Sequence, residues 1–413
     1  MRALEFSPTL PGYAAARWLG GARGGPLQLL RLAHHPAPEL PGDAWVRLRP
    51  RLAGVCGSDL ACLEGHASPY LGALASAPFV LGHEVVADVA DGIDGLDRGT
   101  RVVLEPLLHC GVRGVRPPCR RCASGEPQGC ESVAGEGLAA GLQTGYCSAT
   151  GGGWATELVA HRSQVHRIPD DLDDADAVVV EPLACALHAV MRSGAAADDA
   201  VLVIGCGTLG LLTIAALRHL GLARRIVAVA RHDHQRRLAG ALGADDVTDQ
   251  ASMLRTVRWQ TGARIVEDRG AGAFLLGGVD ACFECTGTAD GLRDAMATTH
   301  AGGTVVLVGM PGRLSVDLSP AWQRELTLRG AYAYGVETPV GVHAPAARPM
   351  GAVEPPRRTF DLAIEAASSL RPGRLVGAPF ALEDFREALA EASDAGRRGA
   401  VKVAFAPQLA GSR

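Results

Sequence analysis

The chain has 413 residues, 47% hydrophobic and 20% charged, enough to bury an enzyme-sized interior over two or three domains and unlike a disordered, coiled-coil or collagenous composition. With 40 Lys and Arg against 44 Asp and Glu, the formal charge of −4 gives no electrostatic ground for holding nucleic acid or an anionic membrane. Aromatic residues are only 4%, so Ala, Val and Leu must supply the apolar volume.

Residues 1–25 are broken by Pro8, Pro11, Gly12 and Gly20, and show neither the apolar core of a secretory signal nor an amphipathic transit helix; a cytoplasmic protein is expected. Up to residue 180 the pattern is of short strands, at 45–48, 79–90 with a glycine interruption, 101–104 and 154–159, separated by Gly and Pro turns. This predicts an irregular, mostly-β domain. Within it four of the 11 cysteines crowd together, Cys110, Cys119, Cys122 and Cys130. Without a secretory signal such crowding points to a metal rather than disulfides, and four thiolates close a tetrahedral zinc shell that leaves no position for substrate. That site is expected to stabilise its lobe. Asp170, Asp171, Asp173, Asp174 and Asp176 read as a solvated acidic loop or helix start.

Beyond residue 178 the pattern changes. An apolar strand at 201–204 runs through Gly205-Cys206-Gly207-Thr208-Leu209-Gly210 into a helix carrying Leu209, Leu212, Ala216 and Leu220 on one face, and a second strand follows at 226–229. Strands at 279–283, 304–308 and 327–332, with a helix at 292–299, extend the alternation and predict a doubly wound parallel sheet. Prolines and glycines dominate 335–356. Amphipathic helices at 360–370 and 382–392 and a closing strand at 400–405 are then expected to return to the first domain.

The G-x-G-x-x-G, closing a strand and opening a helix, is a dinucleotide loop: the first glycine permits a tight turn, the second lets backbone approach a pyrophosphate, and the third allows close helix packing. The uncharged stretch 200–217 approaches membrane-spanning length, but a glycine turn halfway along would expose unpaired amides to lipid. At the end of the second strand, where an acid usually binds the ribose of NAD, stands Ala230, followed by Arg231 and His232 with Arg236 and Arg237 one turn on. A neutral gap beside cations predicts NADP(H) over NAD(H); an ordinary solvated helix face is the alternative.

A second constellation is scattered: Cys56 and Ser58 in Gly54-Val55-Cys56-Gly57-Ser58-Asp59, His83 and Glu84 after Gly82, and Glu181 before Pro182. None is diagnostic singly. Cys, His and a carboxylate together are ligand types zinc accepts, with a fourth position left open as catalysis requires.

The segments AGVCGSDL, GHE, EPLACALHA, VLVIGCGTLG, ECTG and GGTVVLVG, with the cysteine lobe, run nearly end to end. With them the chain resembles the zinc-dependent alcohol and polyol dehydrogenases of the medium-chain dehydrogenase/reductase superfamily. The resemblance implies a Rossmann doubly wound sheet at 188–336 and a mostly-β GroES-like catalytic domain at 1–187 and 337–413. It implies that Cys56, His83 and Glu181 hold a catalytic zinc, with Glu84 beside the metal or a transient ligand, and that the four cysteines hold a second zinc. A glutamate as third ligand resembles the polyol, sugar and threonine branches. Ser58 would start the proton relay, but Ala61 stands where many relatives continue it with a histidine, and Ala87 replaces a glycine usual after GHE. The cofactor would meet Gly205, Gly207, Thr208, Leu209, Gly210, Ala230, Arg231, His232, Arg236, Thr286, Val308 and Gly309. The expected activity interconverts an alcohol with an aldehyde or ketone by hydride transfer, in a homodimer or homotetramer. A zinc-independent double-bond reductase and a non-catalytic NADPH-binding protein are the competing readings. Cys147 is expected to be structural, and segments 111–118, 255–278 and 336–356 to reshape access or an oligomer contact.

Overall fold

The computed structural model describes residues 1–9, 12–13, 29–269, 272–337 and 355–411. Most of the irregular N-terminus and of the unusual segment 336–356 therefore lies outside the described residues. The chain divides into two compact units, Met1–Glu181 with Ala367–Arg413, and Pro182–Ala366.

The first unit opens with β1 (Arg2–Phe6), β2 (Leu30–His34) and the ten-residue β3 (Trp45–Gly54). It continues through β4 (Phe79–Val80), β5 (Val85–Val89) and β6 (Arg101–Leu104) to β7 (Leu158–His161) and β8 (Val165–Arg167). β1 lies antiparallel between β2 and β4. β3 is the spine of a second sheet: Val46, Leu48 and Pro50 are buried while Arg47, Arg49 and Arg51 point outward, the two-residue period of a half-buried strand. Its ladder to β5 slips between Pro50 and Leu52, where the proline lacks an amide to donate. The strand expected at 154–159 begins only at Leu158. Residues 154–156 pair elsewhere: Trp154 N donates to Leu81 O at 2.9 Å, Leu4 N to Trp154 O at 2.9 Å, and Thr156 N to Arg2 O at 2.9 Å. Gly152 allows this, since a Cβ there would meet Val80 O at 2.1 Å.

The second unit carries β9 (Ala200–Ile204), β10 (Arg225–Val229) and β11 (Asp246–Thr248), then a hairpin of β12 (Arg264–Asp268) and β13 (Gly272–Leu276). β14 (Val279–Glu284), β15 (Thr299–Leu307) and β16 (Thr327–Gly330) follow, and β17 (Val336–Glu337) pairs with β18 (Arg357–Arg358). The six-stranded sheet is parallel throughout in the order β11-β10-β9-β14-β15-β16. Every residue of β9 is buried, as a strand covered on both faces requires. Stretch 200–217 is thus strand, turn and helix, and among the described residues no helix is long and apolar enough to cross a membrane. The hairpin β12/β13 accounts for much of the unusual segment 255–278. Its short alternation was not legible as a strand pair.

The chain then returns to the first unit, where β19 (Ala404–Phe405) pairs with the end of β3 at Gly54 and Ala53. Only these two residues of the expected strand 400–405 join the ladder, because Lys402 bridges to Val376 instead. Trp154 locks this junction: it is fully buried, its indole N–H donates to Gly54 O at 3.0 Å, and its ring meets Phe405 edge-on at 5.0 Å. Trp154→Ala is expected to cost about 3–5 kcal/mol in the unfolding of this unit, read by urea titration with circular dichroism. A loss below about 1 kcal/mol would mean that the junction does not depend on the indole.

Candidate metal centres and dinucleotide crevice

Cys56 sits at the N-cap of the helix Gly57–Leu63, its amide held by Asp59 Oδ2 at 2.9 Å. His83 and Glu84 follow one another in the loop between β4 and β5. The donor atoms of Cys56, His83 and Glu84 all lie within 4.8 Å of one another. Thiol, imidazole and carboxylate are a donor set that fits zinc, and the thiol is free. The expected third ligand, Glu181, is buried at the start of the helix Val180–Arg192 but is not a member of this triple. Glu84 has room beside Cys56 and His83 because Gly54 has no side chain, and a Cβ there would meet Glu84 Oε2 at 1.9 Å.

Two charged residues and a phenol that the sequence reading did not single out complete the surroundings. Lys402 forms an ion pair with Glu84 and donates to Val55 O at 3.1 Å, and both charges are buried. Asp59 is wholly buried, with Oδ1 3.6 Å from His83 Nδ1. Burial disfavours the His83 cation, but Asp59 and Cys56 outweigh it and hold the imidazole well above its ordinary pKa. Tyr146 places its hydroxyl 3.0 Å from Asp59 Oδ1 and 3.1 Å from Ser58 Oγ. Ser58 is partly exposed. Ala61 offers no imidazole, and His66, the nearest candidate to replace it, faces solvent beside Glu64.

The four-cysteine cluster is also brought together, Cys110, Cys119, Cys122 and Cys130 having their sulfurs within 4.8 Å of one another. Cys110 Sγ and Cys130 Sγ are 3.6 Å apart, far beyond a disulfide and close to the ~3.8 Å between two thiolates on one tetrahedral zinc. Backbone amides already face the sulfurs: Cys119 N is 3.3 Å from Cys110 Sγ, and Cys122 N and Glu131 N are each 3.5 Å from Cys119 Sγ. The lobe is braced by a buried cation. Arg113 donates through Nε to Leu108 O at 2.7 Å and through Nη2 to Gly141 O at 2.6 Å, with the carbonyls of Val133, Glu136, Leu138 and Ala139 around it. Cys147 is buried nearby, its Sγ 3.4 Å from Ala139 O, packed with Trp45, Leu108 and Val112.

In the second unit the strand order reverses between β9 and β14, and a ligand crevice opens at their carboxyl ends. Gly205 turns there at φ +92°, where a Cβ would meet Thr286 Cγ2 at 2.5 Å, and one on Gly210 would meet Gly205 O at 1.8 Å. Gly207, by contrast, opens onto free space at the N-terminus of the helix Thr208–Leu220, the place for a pyrophosphate. Thr286, Val308 and Gly309 gather beside it. Glu284, buried at the end of β14, organises them: its carboxylate accepts from Thr286 N at 2.7 Å and Gly287 N at 2.9 Å, and its carbonyl accepts from Val308 N and Gly309 N at 2.9 Å each. Ala230 is buried at the end of β10, and His232 caps the helix Asp233–Ala241. Arg236 is pinned to Asp233 Oδ1 at 2.7 Å and to the carbonyls of Ala230 and Arg231. Arg231 is exposed.

Residues 42–170 match the family of the alcohol dehydrogenase GroES-like domain and residues 208–343 that of the zinc-binding dehydrogenases. An L-idonate 5-dehydrogenase of Vitis vinifera is 29% identical over 323 residues, 77% of this chain and 80% of its own. A sorbitol dehydrogenase of Arabidopsis thaliana is 28% identical over the same shares, 77% and 80%. Among solved structures, a Sinorhizobium meliloti 1021 protein described as a zinc-binding dehydrogenase and bound to NADP is 25% identical, with a TM-score of 0.66, over 92% of this chain and 95% of that one.

The thiols of the chain differ in a way that chemistry can read. Burial raises the Cys119 thiol, but the amides of Glu131 and Cys122 outweigh it and bring it to about 7, whereas burial pushes Cys62 and Cys206 up to about 12. In chelator-treated protein Cys119 is expected to be alkylated before Cys62 and Cys206. Its rate should climb as pH rises through 7 and level off above it, since a lowered pKa populates thiolate from there upward. Peptide mass spectrometry after a short iodoacetamide pulse reads this, and slower labelling of Cys119 than of Cys62 would contradict it.

Proposed function

This chain belongs to the zinc-dependent alcohol and polyol dehydrogenases of the medium-chain dehydrogenase/reductase superfamily, and on that premise we propose that it oxidises a polyhydroxylated alcohol reversibly to a ketone or aldehyde, with two zinc ions per chain and NADP(H) as the preferred cofactor. The observation that carries the reading is the cluster of Cys56, His83 and Glu84 beside a partly exposed Ser58. Cys56 and His83 hold the catalytic ion with a carboxylate, which the geometry favours as Glu84 and the family likeness as Glu181. The four cysteines of the lobe hold the second ion. When bound, zinc supplies Lewis acidity toward the substrate oxygen, and the nicotinamide carries the hydride.

The chain's own residues then have separate tasks. Ser58 Oγ would take the proton that the substrate hydroxyl gives up while releasing its own to solvent, to which it is partly exposed. Asp59 orients His83, and Lys402 neutralises the buried Glu84. Gly207 lets the backbone meet the pyrophosphate, Gly205 and Gly210 make the tight turn and close packing behind it, and Glu284 holds the Thr286 loop against that turn. The absence of an acid at Ala230 and the exposed cation of Arg231 support NADP(H). The names of the relatives support a polyol or sugar acid as substrate.

Zinc per chain, counted by elemental mass spectrometry, tests the core of this reading. The purified protein should hold two ions, Cys56→Ala one, and Cys56→Ala should lose turnover while its melting temperature changes little. A single zinc untouched by Cys56→Ala would overturn the catalytic assignment. Glu84→Gln and Glu181→Gln, counted in the same way, identify the third ligand as the one whose loss releases the ion.

Cofactor choice is tested by fluorescence titration. Arg231→Ala should weaken NADPH about tenfold, the worth of one charge-assisted contact, and leave NADH nearly unchanged. Equal losses for both cofactors would remove Arg231 from the 2′-phosphate site.

A further inference from the structure

We propose that Tyr146 is a positioning residue for the reaction, fixing the Ser58 hydroxyl as a proton acceptor in the place left by the missing relay histidine at Ala61. The inference rests on the dehydrogenase reading above. Its basis is local to the first unit: Tyr146 Oη lies 3.1 Å from Ser58 Oγ and 3.0 Å from Asp59 Oδ1. A phenol has one proton to give, and of these two acceptors the carboxylate makes the stronger, charge-assisted bond. The same O–H also faces Ser58, Tyr146 Oη donating to Ser58 Oγ, so one phenol bridges the aspartate and the serine. One lone pair of the fixed Ser58 Oγ stays open to a substrate hydroxyl, and Ser58, partly exposed, releases its own proton to solvent as it takes up the substrate's.

The phenol is itself held in place. Its ring packs against Phe79 at 5.5 Å and against the His83 imidazole at 5.8 Å, so little freedom remains for the hydroxyl to leave the two oxygens. Gly145, at φ +92°, sets the chain there, and a Cβ at that position would meet Gly82 O at 3.0 Å. Burial and Asp59 push the phenol well above its ordinary pKa, so it stays a neutral hydroxyl. Asp59 is also occupied on both sides, by Cys56 N at 2.9 Å and by His83, and it therefore anchors Tyr146 as a fixed acceptor.

Tyr146→Phe removes the hydroxyl and keeps the ring. Zinc content, melting temperature and NADPH affinity by fluorescence titration should match the unsubstituted protein, while kcat for alcohol oxidation falls about 10- to 100-fold with KM little changed. In a Ser58→Ala background the same substitution should have no further effect, because Tyr146 acts through Ser58. Unchanged kcat, an equal loss in the Ser58→Ala background, or release of zinc by Tyr146→Phe would each overturn the proposal while leaving the dehydrogenase reading intact. No turnover of any alcohol or carbonyl by the zinc-loaded, unsubstituted protein would overturn both.

Discussion

The first unit is organised around one buried ion pair, Glu84 with Lys402. Both side chains are almost fully enclosed, at 1% and 2% exposure, and taking two such charges out of water costs several kcal/mol each before their attraction returns any of it. The pair is therefore poorly explained as a source of stability and well explained as a device of placement. Lys402 also reaches Val55 O, immediately before Cys56, so a single ammonium group fixes both the carboxylate and the backbone that presents the thiol. Gly54 gives the pair its room, β19 brings the lysine in beside β3, and Trp154 seals the junction.

What could be read from the sequence was whatever is local. The glycine loop declares its strand, turn and helix within a dozen residues, and the parallel sheet follows from the repeated alternation of apolar strand and amphipathic helix. The four cysteines likewise lie in one short lobe and do come together. What the sequence could not reveal is set by long-range pairing. Lys402 and Tyr146 look like an ordinary strand lysine and loop tyrosine until the fold carries them to Glu84 and Ser58. The place of Glu84 in the triple depends on the missing Cβ of Gly54, a steric fact with no periodic signature. Trp154 belongs to a β-rich stretch, yet its backbone pairs with Leu81 and Leu4 because the adjacent glycines pack against β4. The hairpin β12/β13 was hidden for a different reason: most of its residues are exposed, and an exposed pair carries no clean hydrophobic alternation.

A chain with few aromatic residues also shows how cations can serve as internal struts. Arg113 collects the loose carbonyls of the cysteine lobe, Arg324 those of Met296 and Thr299 while lying over the Phe274 ring at 5.4 Å, and Arg236 those at the end of β10. In each case the planar fork satisfies carbonyls that irregular backbone leaves unpaired, which a lysine or an apolar side chain could not do in that number. For Arg236 this means that its charge is spent on the turn, and the neighbouring Arg231 and Arg237 are the cations left exposed.

The discontinuity of the first unit bears on the order of events during synthesis. Domains fold as units while the chain emerges from the ribosome, N-terminal parts first. Pro182–Ala366 is complete before Ala367–Arg413 has been made, so the sheet bearing the glycine loop can form while the first unit still lacks its closing strand. During that interval Cys56, His83 and Glu84 exist without Lys402, the partner of Glu84 in the complete fold. The cluster of Cys56, His83 and Glu84 is therefore completed only with the final segment of the chain, whereas the cysteine lobe, built from residues 110–130 and braced by its own arginine, has all its parts far earlier.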